Sequence, residues 1–456
     1  MLRRVLIPNR GEIAVRIMRT LARLGIESVL AASEADLDSV PARLADRTVC
    51  LGPAPATTSY LDMAAVIRAA LAAGADAIHP GYGFLSENAR LARAAGEAGL
   101  VFIGPDAGAL AAAGDKLAAR AHAAAAGLPV LPGGEVADEH AAEALAADIG
   151  WPVLIKAADG GGGRGLRPVR EPAELASATL LAMAEANAAF GTSRIYLERF
   201  VPAARHVEVQ LIGDGCRVVA LGDRDCSVQR RYQKLIEEAP APGLAPGLRA
   251  AMHEAAAAFG TRLRYRGLGT VEFLADPAAG SFWFLEMNAR IQVEHPVTEA
   301  VSGLDLVAEQ IAIAEGSPLR PGLAALAPAG HAIECRINAE DWQDGFLPCP
   351  GTISRAVFPA GPGIRVDTWV QAGSAVPPHY DSLLAKLIAS GPDRPAALAR
   401  LAAALAACRI EGVATNLPLY AALTADPEFA GGRVDIGYLR RFLDRAQAGP
   451  REPAHG

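Results

Sequence analysis

The chain has 456 residues, a net charge of −7 and no basic block, so its composition gives no support to nucleic-acid binding. About half of the residues are apolar, yet no apolar run is long enough to cross a bilayer, and the first residues lack a signal-peptide core. We therefore expect a cytoplasmic protein of several domains. The six cysteines are scattered without a CxxC or zinc-ligand pattern, and we expect reduced, mostly buried thiols.

Strand and helix patterns alternate through the first hundred residues. Val5–Ile7 is typical of a buried strand, and apolar residues at helical spacing predict a helix from Gly11 to Leu24 that ends at Gly25. Further strands are predicted at 28–32, 75–79 and 101–103. This alternation predicts a doubly wound α/β lobe over residues 1–113. No GxGxxG motif follows the first strand, so the lobe need not bind a dinucleotide.

Two further domains are predicted in the rest of the chain. The first, 114–317, begins in an alanine-rich helical stretch, holds a small lobe at about 129–204 and continues into strand-rich segments. An apolar stretch interrupted by proline and glycine, 318–329, indicates a linker to a last domain at 330–443. We expect residues 446–456 to be a disordered tail.

Lysine is rare in this chain. Only Lys116, Lys156, Lys234 and Lys386 occur among its 43 basic residues. A nucleotide-composition bias explains the general use of arginine. The lysines that remain are expected where a compact ammonium works and a planar guanidinium does not, as at phosphate groups.

A glycine-rich loop follows the strand that carries Lys156. The segment 159–165 reads DGGGGRG, and glycines let backbone N–H groups approach phosphate oxygens while the lysine adds a positive charge. No Lys-Ser/Thr pair closes the loop, so it is not a Walker motif. The alternative is a flexible linker.

Two predicted strands carry carboxylates between apolar neighbours. Pairing of these strands would project Glu272, Glu286 and Asn288 to one side. Carboxylate and amide oxygens suit magnesium shared with nucleotide phosphates. The alternative is a pair of exposed strand faces.

Dense polar residues follow at 290–299. Arg290 can bind a planar oxyanion through two nitrogens, and Glu294 is a candidate general base two strand-steps from Gln292. His295, which precedes a proline, is interpreted as structural.

Seven ordered blocks resemble biotin carboxylase, the subunit or domain found in acyl-CoA, pyruvate and urea carboxylases. They are NRGEIA at 9–14, HPGYGFLSEN at 79–88, GDK at 114–116, RDCS at 224–227, EEAP at 237–240, the segment 286–299, and ECRINAED at 334–341. The resemblance runs almost end to end. It implies an α/β fold of the ATP-grasp type, with an N-terminal doubly wound lobe and a C-terminal biotin carboxylase domain.

The resemblance also implies a role for individual residues. Positions that contact ATP are Lys116, Lys156, Gly162, Gly163, His206, Glu272 and Glu286, and the adenine segment is Glu198, Arg199, Phe200 and Val201. Metal ligands are Glu272, Glu286 and Asn288. The bicarbonate pocket comprises Lys234, Arg290, Gln292, Val293 and Arg336. Glu294 is implied to deprotonate bicarbonate, and Arg336 to stabilise the biotin enolate; Lys234 and Arg290 complete the catalytic set.

The reaction implied by the resemblance uses ATP, two Mg²⁺ or Mn²⁺ ions and bicarbonate. Carboxyphosphate forms, and biotin on a separate carrier protein is carboxylated, which is the first half-reaction of an acetyl-CoA or other acyl-CoA carboxylase in fatty acid biosynthesis. Partners implied are the carrier, carboxyltransferase subunits and a second copy of this chain. Because water destroys carboxyphosphate, the small lobe is expected to close as a lid.

Two other functions are compatible with parts of this pattern. One is another ATP-grasp ligase that forms an acyl- or carboxyphosphate, which would have no need for the block at 334–341. The other is a nucleotide-binding regulator without activity, against which Arg290, Glu294 and Arg336 argue. Three positions depart from the family: Asp159 in the glycine loop, Tyr232 beside the nucleotide, and Arg23, where some members carry an acid at the dimer contact.

Lys386 is the one lysine to which the resemblance gives no role. It lies in an apolar run, where a charge is costly unless it is paired. The simple explanation is that the aliphatic part of the Lys386 side chain is buried while its ammonium group reaches water. Our hypothesis is that Lys386 points inward and pairs with a carboxylate between the last domain and the ATP-grasp core, which would hold Arg336 over the biotin site.

The sequence predicts that this chain is not itself biotinylated. Biotin-carrier domains present their lysine between methionines, and no lysine here has a methionine neighbour. We expect streptavidin blotting of the purified protein to be negative beside a biotinylated carrier protein as control. A clear band at the mass of this chain would contradict the prediction.

Overall fold

The N-terminal lobe is built on a parallel sheet of five strands, in the order β3-β2-β1-β4-β5. The computed structural model describes residues 1–157 and 166–447. The strands are β1 (Arg4–Ile7), β2 (Glu27–Ser33), β3 (Arg47–Gly52), β4 (Ala77–Ile78) and β5 (Val101–Phe102). The helices of this lobe are α1 (Gly11–Leu24), α2 (Val40–Leu44), α3 (Met63–Ala73) and α4 (Ala89–Glu97), with 3-10 turns at Glu34–Asp36 and Ala56–Thr58. Two more helices, α5 (Ala107–Gly114) and α6 (Lys116–Ala125), follow it and pack against the core of the next sheet.

Local sequence explains where these helices begin and end. The buried face of α1 carries Ile13, Ile17 and Leu21, and the helix ends at Gly25, whose φ of 70° favours glycine. Side chains of aspartate or asparagine accept N–H groups of the first turn in α3 to α6, namely Asp62, Asn88, Asp106 and Asp115. The predicted α/β lobe is therefore confirmed, with its strands at 75–79 and 101–103 shorter than expected.

A small lobe follows, with a hydrophobic core of its own. Its antiparallel sheet has the order β6-β9-β7-β8, and two helices cover it. The elements are β6 (Gly133–Val136), α7 (Glu139–Ile149), β7 (Val153–Ala157), β8 (Arg167–Val169), α8 (Pro172–Phe190) and β9 (Ile195–Arg199).

The rest of the chain contributes to one large antiparallel sheet of eight strands. The first part of this region of the chain, residues 205–325, comprises β10 (Arg205–Asp214), β11 (Val218–Arg230), β12 (Gln233–Ala239), α9 (Pro246–Arg262), β13 (Arg266–Asp276), β14 (Ser281–Asn288), α10 (His295–Ser302), α11 (Leu306–Ala314) and a 3-10 turn at Leu323–Ala325. The last part comprises β15 (His331–Asn338), β16 (Glu340–Asp341), β17 (Leu347–Pro348), β18 (Gly351–Thr352), β19 (Arg355–Val357), β20 (Ile364–Thr368), β21 (Ala375–Val376), β22 (Leu383–Gly391), α12 (Arg394–Ala407), β23 (Arg409–Glu411), α13 (Leu417–Ala425), α14 (Pro427–Ala430) and α15 (Tyr438–Gln447).

The sheet runs without a break from the middle of the chain into its last part. Its order is β14-β13-β10-β11-β12-β15-β22-β20, and β12 pairs with β15 through Ile236 opposite Cys335. Between these parts, the stretch that we predicted as a linker buries Leu319 and Leu323 in the core beneath the N-terminal lobe. These two leucines therefore anchor the stretch to the core, whereas its other side chains are exposed.

Trp369 joins the last part of the chain to the N-terminal lobe. A Cβ placed on Gly11 would lie 3.5 Å from the Trp369 ring, and the φ of Gly11 is 65°. The guanidinium of Arg10 lies 4.9 Å from the centre of the Trp369 ring and 4.4 Å from that of Tyr380. It also forms two hydrogen bonds with the buried carboxylate of Asp36, of 2.9 and 3.0 Å. The NRGE segment thus serves as a contact between lobes.

Other sequence predictions are corrected by the structure. Helix α15 extends to Gln447, so residues 446 and 447 are helical, whereas 448–456 lie outside the described residues. All six thiols are free, as expected, but only Cys226, Cys335 and Cys408 are buried, so the expectation of mostly buried thiols is wrong. None of the helices described is both long and apolar enough to span a membrane.

Candidate active site

A cavity of about 280 Å³ opens between the small lobe and the large sheet. Both layers supply its wall, which includes strands β7 and β9 on one side and β12, β13 and β14 on the other. The lining residues are Leu154, Lys156, Leu166, Glu198, Arg199, Phe200, Val201, His206, Gln229, Tyr232, Lys234, Glu272, Leu274, Leu285, Glu286, Asn288, Arg290, Gln292, Val293, Arg336 and Ile436. The cavity therefore has an apolar part and a strongly charged part.

The ammonium of Lys234 lies among three carboxylates. Its Nζ is 2.6 Å from Glu208 Oε2, 2.7 Å from Glu272 Oε1 and 2.7 Å from Glu294 Oε1. Because a lysine ammonium has three N–H donors, each donor has one carboxylate acceptor. A second buried cation, Arg224, also binds Glu208. The cluster is thus held together by charge in a region removed from water.

Glu294 lies between Lys234 and Arg336. Its second oxygen, Oε2, accepts a hydrogen bond of 2.8 Å from Arg336, which also donates to Glu237. Glu294 is fully buried. We expected Glu294 on a strand, two steps from Gln292, and this is wrong: the residue sits in a turn just before α10, since Pro296 favours the first turn of a helix. The turn directs the carboxylate into the cluster.

Burial and ion pairs act in opposite directions on these carboxylates. Burial by itself would raise the pKa of Glu294, but Lys234, Arg336 and Arg224 outweigh it and hold that pKa below its ordinary value. The pKa of Glu272 is likewise held well below its ordinary value, against burial, by Lys234 and His206. Burial raises the pKa of Glu237 to about 7 despite the neighbouring Arg336. Glu294 and Glu272 are therefore ionised at neutral pH.

Glu272 and Glu286 lie directly opposite each other on β13 and β14, as the sequence predicts. Asn288 is on the same strand as Glu286, and its Nδ2 donates to Glu272 Oε1 over 2.9 Å. Two carboxylates and one amide are hard oxygen ligands of the kind that Mg²⁺ prefers, so these residues fit the ion. Glu272 also accepts a hydrogen bond from His206, at 2.8 Å.

Arg290 faces the same part of the cavity. Its Nε binds Glu87 Oε2 at 3.0 Å, and its terminal nitrogens bind Asn288 Oδ1 at 2.7 Å and Gln292 Oε1 at 3.0 Å. Glu87 belongs to the N-terminal lobe. This lobe therefore orients a guanidinium that lies on the cavity wall.

The apolar part of the cavity lies beside the small lobe. Lys156 enters it from β7 and pairs with Glu198 Oε1 at 2.5 Å. Glu198, Arg199, Phe200 and Val201 all line the wall, together with leucine side chains and Ile436. Gly162 and Gly163, and the neighbouring Asp159, lie outside the described residues. Lys116 is the first residue of α6, and its side chain is likewise not described.

Sequence reasoning did not identify several members of the site. Glu208 lies two residues after His206 on β10, a spacing that places both side chains on one face of the strand, and this signal was missed. No local pattern marked Ile436. Gln229 carried no separate signal either. Tyr232, for which the resemblance left the role open, lines the cavity, and its φ of 68° places it at the turn between β11 and β12.

Lys386 points inward, but its partners differ from those that we expected. Its Nζ is 3.0 Å from Glu12 Oε1, a carboxylate of the N-terminal lobe and not of the ATP-grasp core. It also donates to the carbonyl of Val293 over 2.9 Å. The side chain of Arg336 is held by Glu237 and Glu294 instead. The expectation of inward pairing is thus confirmed, and the proposed hold on Arg336 is wrong.

A lysine-bearing antiparallel lobe that faces a carboxylate-bearing sheet across one cavity defines an ATP-grasp enzyme. Three family models match in chain order. Residues 1–110 match the biotin carboxylase N-terminal domain, 115–321 the carbamoyl-phosphate synthase L chain ATP-binding domain, and 334–441 the biotin carboxylase C-terminal domain. The chain belongs to the biotin carboxylase family.

Curated relatives and solved structures agree with this assignment. The biotin carboxylase of Pseudomonas aeruginosa is 48% identical over 97% of this chain and 99% of its own length, and that of Nostoc sp. is 47% identical over 96% and 99%. A biotin carboxylase complex from Campylobacter jejuni has a TM-score of 0.93 at 42% identity, covering 97% of this chain and 99% of its own. The biotin carboxylase domain dimer of Hydrogenobacter thermophilus 2-oxoglutarate carboxylase, with MgADP and bicarbonate, has the same score and identity over 97% and 98%.

Removal of the Lys234 ammonium is predicted to destabilise the protein strongly. Lys234→Met leaves three carboxylates buried without their shared cation, and we expect the free energy of unfolding to fall by about 3–5 kcal/mol. Lys156→Met, which removes a cation with one paired carboxylate, is the matched control and should cost less. Denaturant unfolding measures both values.

The free energy of unfolding that is lost in Lys234→Met should become smaller as the pH falls. Glu272 and Glu294 have depressed pKa values in the folded protein, so their ionised forms stabilise it above the unfolded pKa, and this contribution is lost as the pH falls. Without Lys234 the carboxylates protonate more readily, and protonation removes their repulsion. The difference between Lys234→Met and wild type should therefore narrow as the pH is lowered. A difference that is constant with pH would contradict the role of Lys234 as their counter-ion.

Proposed function

We propose that this chain uses ATP to carboxylate biotin with bicarbonate. The observation that carries the proposal is the position of Glu294, an ionised carboxylate bound by Lys234 on one oxygen and Arg336 on the other, beside the cavity. A base next to two cations is suited to a small anion that must lose a proton before it attacks a phosphate. Bicarbonate is such an anion.

The apolar end of the cavity is suited to the nucleotide and the charged end to bicarbonate. Apolar side chains and the segment Glu198–Val201 are suited to the adenine, and Lys156 stands where it can meet phosphate oxygens. Glu272, Glu286 and Asn288 would hold Mg²⁺, which supplies charge compensation for the transferred phosphoryl group when it is bound. Lys234, Arg290, Gln292, Val293 and Arg336 would then surround bicarbonate at the charged end.

Proton transfer to Glu294 requires its pKa to rise from the resting value. In this structure Lys234 and Arg336 hold that pKa down. An anion that enters between these cations takes part of their hydrogen bonding, and a second negative charge nearby disfavours ionised Glu294. Bicarbonate itself thus makes Glu294 a better base. The resulting nucleophile attacks the γ-phosphate, which gives ADP and carboxyphosphate.

Arg336 serves the second half of the proposed reaction. Carboxyphosphate breaks down to CO2 and fully deprotonated phosphate. That phosphate takes the ureido proton of biotin, and the deprotonated nitrogen then captures the CO2. The negative oxygen that develops on the ureido group is stabilised by the guanidinium of Arg336, which is fixed by Glu237 and is only partly buried. Closure of the small lobe at 129–204 would keep water from carboxyphosphate.

We also propose that biotin arrives on a separate carrier protein, that carboxyltransferase subunits complete the enzyme, and that the chain forms a homodimer in the cytoplasm. The match to pyruvate carboxylase of Rhizobium etli, which covers 99% of this chain and 41% of that one, indicates that a domain of this fold also occurs within a longer carboxylase. The domain dimer of Hydrogenobacter thermophilus supports the proposed homodimer. The acyl acceptor is a property of the carboxyltransferase.

An ATP-cleavage assay tests the function directly. Purified protein with ATP and Mg²⁺ should release phosphate only when bicarbonate is present, and free biotin should increase the rate and take up label from bicarbonate. Another ATP-grasp ligase would show no response to biotin, and a nucleotide-binding regulator would bind ATP without turnover. Either result would contradict the proposal.

Glu294→Gln tests the identity of the base. The substitution keeps the shape of the side chain and removes its ability to take a proton, so bicarbonate-dependent ATP cleavage should fall about 100-fold or more. ATP affinity should change little. Glu309→Gln, at a carboxylate that pairs with Arg320 outside the cavity, is the matched control. Turnover near that of wild type in Glu294→Gln would mean that another group deprotonates bicarbonate.

A further inference from the structure

Lys386 occupies a junction between three parts of the molecule. It lies on β22 of the last part, and its side chain has 0% exposure. One contact reaches Glu12 on α1 of the N-terminal lobe, at 3.0 Å, and the other reaches the Val293 carbonyl beside the catalytic turn, at 2.9 Å. A charge buried so completely would be costly without hydrogen-bonding partners such as these.

The Val293 carbonyl needs a donor from outside its own turn. His295 N donates to Gln292 O over 3.3 Å, and Val297 N donates to Glu294 O over 3.3 Å. The residue between these two donors is Pro296, which has no N–H. Pro296 is the residue that would donate to the carbonyl of Val293, three positions before it, so this carbonyl receives no hydrogen bond from its own turn. The Lys386 ammonium donates the hydrogen bond instead.

That carbonyl belongs to the peptide unit that joins Val293 to Glu294. Its direction fixes the orientation of the peptide plane, and hence the direction in which the Glu294 side chain leaves the turn. Val293 itself lines the cavity. A rotation of this peptide would move the Glu294 carboxylate away from Lys234 and Arg336, to which it is bound at 2.7 and 2.8 Å.

Glu12 anchors the ammonium from the opposite side. Its Oε1 faces Lys386 and also accepts the hydroxyl of Tyr82, so two segments of the N-terminal lobe fix its position. Glu12 is itself buried. Through Lys386, the N-terminal lobe and the sheet thus together fix the position of the turn.

We propose that Lys386 is a positioning residue for bicarbonate activation: it holds the Val293–Glu294 peptide so that Glu294 faces the bicarbonate pocket. The proposal rests on the proposed function, since it assigns Lys386 a part in that same reaction. Lys386 touches no substrate and acts through the turn. Glu12 contacts the ammonium but not the Val293 carbonyl, so the ion pair and the carbonyl contact can be tested separately.

Two substitutions separate these effects. Lys386→Met removes both contacts, and the buried Glu12 carboxylate is left without its cation, so Tm should fall and kcat/KM for bicarbonate should fall about 10-fold or more. Addition of Glu12→Gln removes the unpaired charge. The double variant should regain most of the lost Tm, yet keep the defect toward bicarbonate, because Val293 still lacks its donor. The KM for ATP should stay near the wild-type value in both.

Glu12→Gln alone is the complementary variant: the amide oxygen of glutamine can still accept a hydrogen bond from Lys386, which leaves the donor to Val293 in place. Its kcat/KM for bicarbonate should remain within about threefold of wild type. Asp36→Asn is a matched structural control: it breaks the buried pair with Arg10 in the N-terminal lobe, away from the turn, and should lower Tm without a selective change in bicarbonate kinetics.

Recovery of both Tm and bicarbonate kinetics in the double variant would overturn the proposal, since Lys386 would then be needed only for stability. An equal loss toward ATP and bicarbonate in Lys386→Met and in the double variant would overturn it as well. If Lys386→Met does not fold, the double variant and Glu12→Gln still decide the question. Failure of the proposed function is distinguishable, because wild-type protein would then show no bicarbonate-dependent ATP cleavage.

Discussion

The site depends on one ammonium group shared by three buried carboxylates. Lys234 brings Glu208, Glu272 and Glu294 within 2.7 Å of a single nitrogen, although these residues come from distant parts of the chain. Without the cation, mutual repulsion and desolvation would drive the carboxylates apart or protonate them. An arginine would place its charge over a wider plane and would not give one donor to each of three closely spaced acceptors.

The continuous sheet makes this convergence possible. Glu208, Lys234 and Glu272 lie on β10, β12 and β13, and Arg336 lies on β15, so all four side chains leave the same twisted surface. Pairing in register places Glu272 opposite Glu286 and Glu237 opposite Glu334. Since a shift of one residue would turn each of these side chains to the other face, the apolar cores on both sides of the sheet also protect the site.

The small lobe and the N-terminal lobe supply further residues of the site. The small lobe brings Lys156 and an apolar wall to the cavity, and the N-terminal lobe brings Glu87 to Arg290 and Glu12 to Lys386. Arg10, stacked between Trp369 and Tyr380 and paired with Asp36, holds the N-terminal lobe against the last part of the chain. Glu87 and Glu12, which are distant in sequence from the catalytic turn, thus help to orient groups in or beside the cavity.

Local sequence was sufficient to predict the parallel N-terminal lobe, because the 3.6-residue period of α1 and the short apolar strands are decided by neighbours along the chain. It was also sufficient to pair Glu272 with Glu286, since alternation on two adjacent strands determines which side chains share a face. The residue pattern marked Arg290 as an oxyanion ligand and Glu294 as a candidate base. Resemblance to the family supplied the roles of Lys234 and Arg336 and named bicarbonate as the anion. The burial of Leu323, the place of Glu208 beside Lys234 and the pairing of Lys386 with Glu12 were decided only by tertiary structure. Each of these depends on contacts between segments far apart in sequence. Leu323 covers an apolar surface, and for the charged groups the energy of burying a charge selects a partner that no local pattern contains.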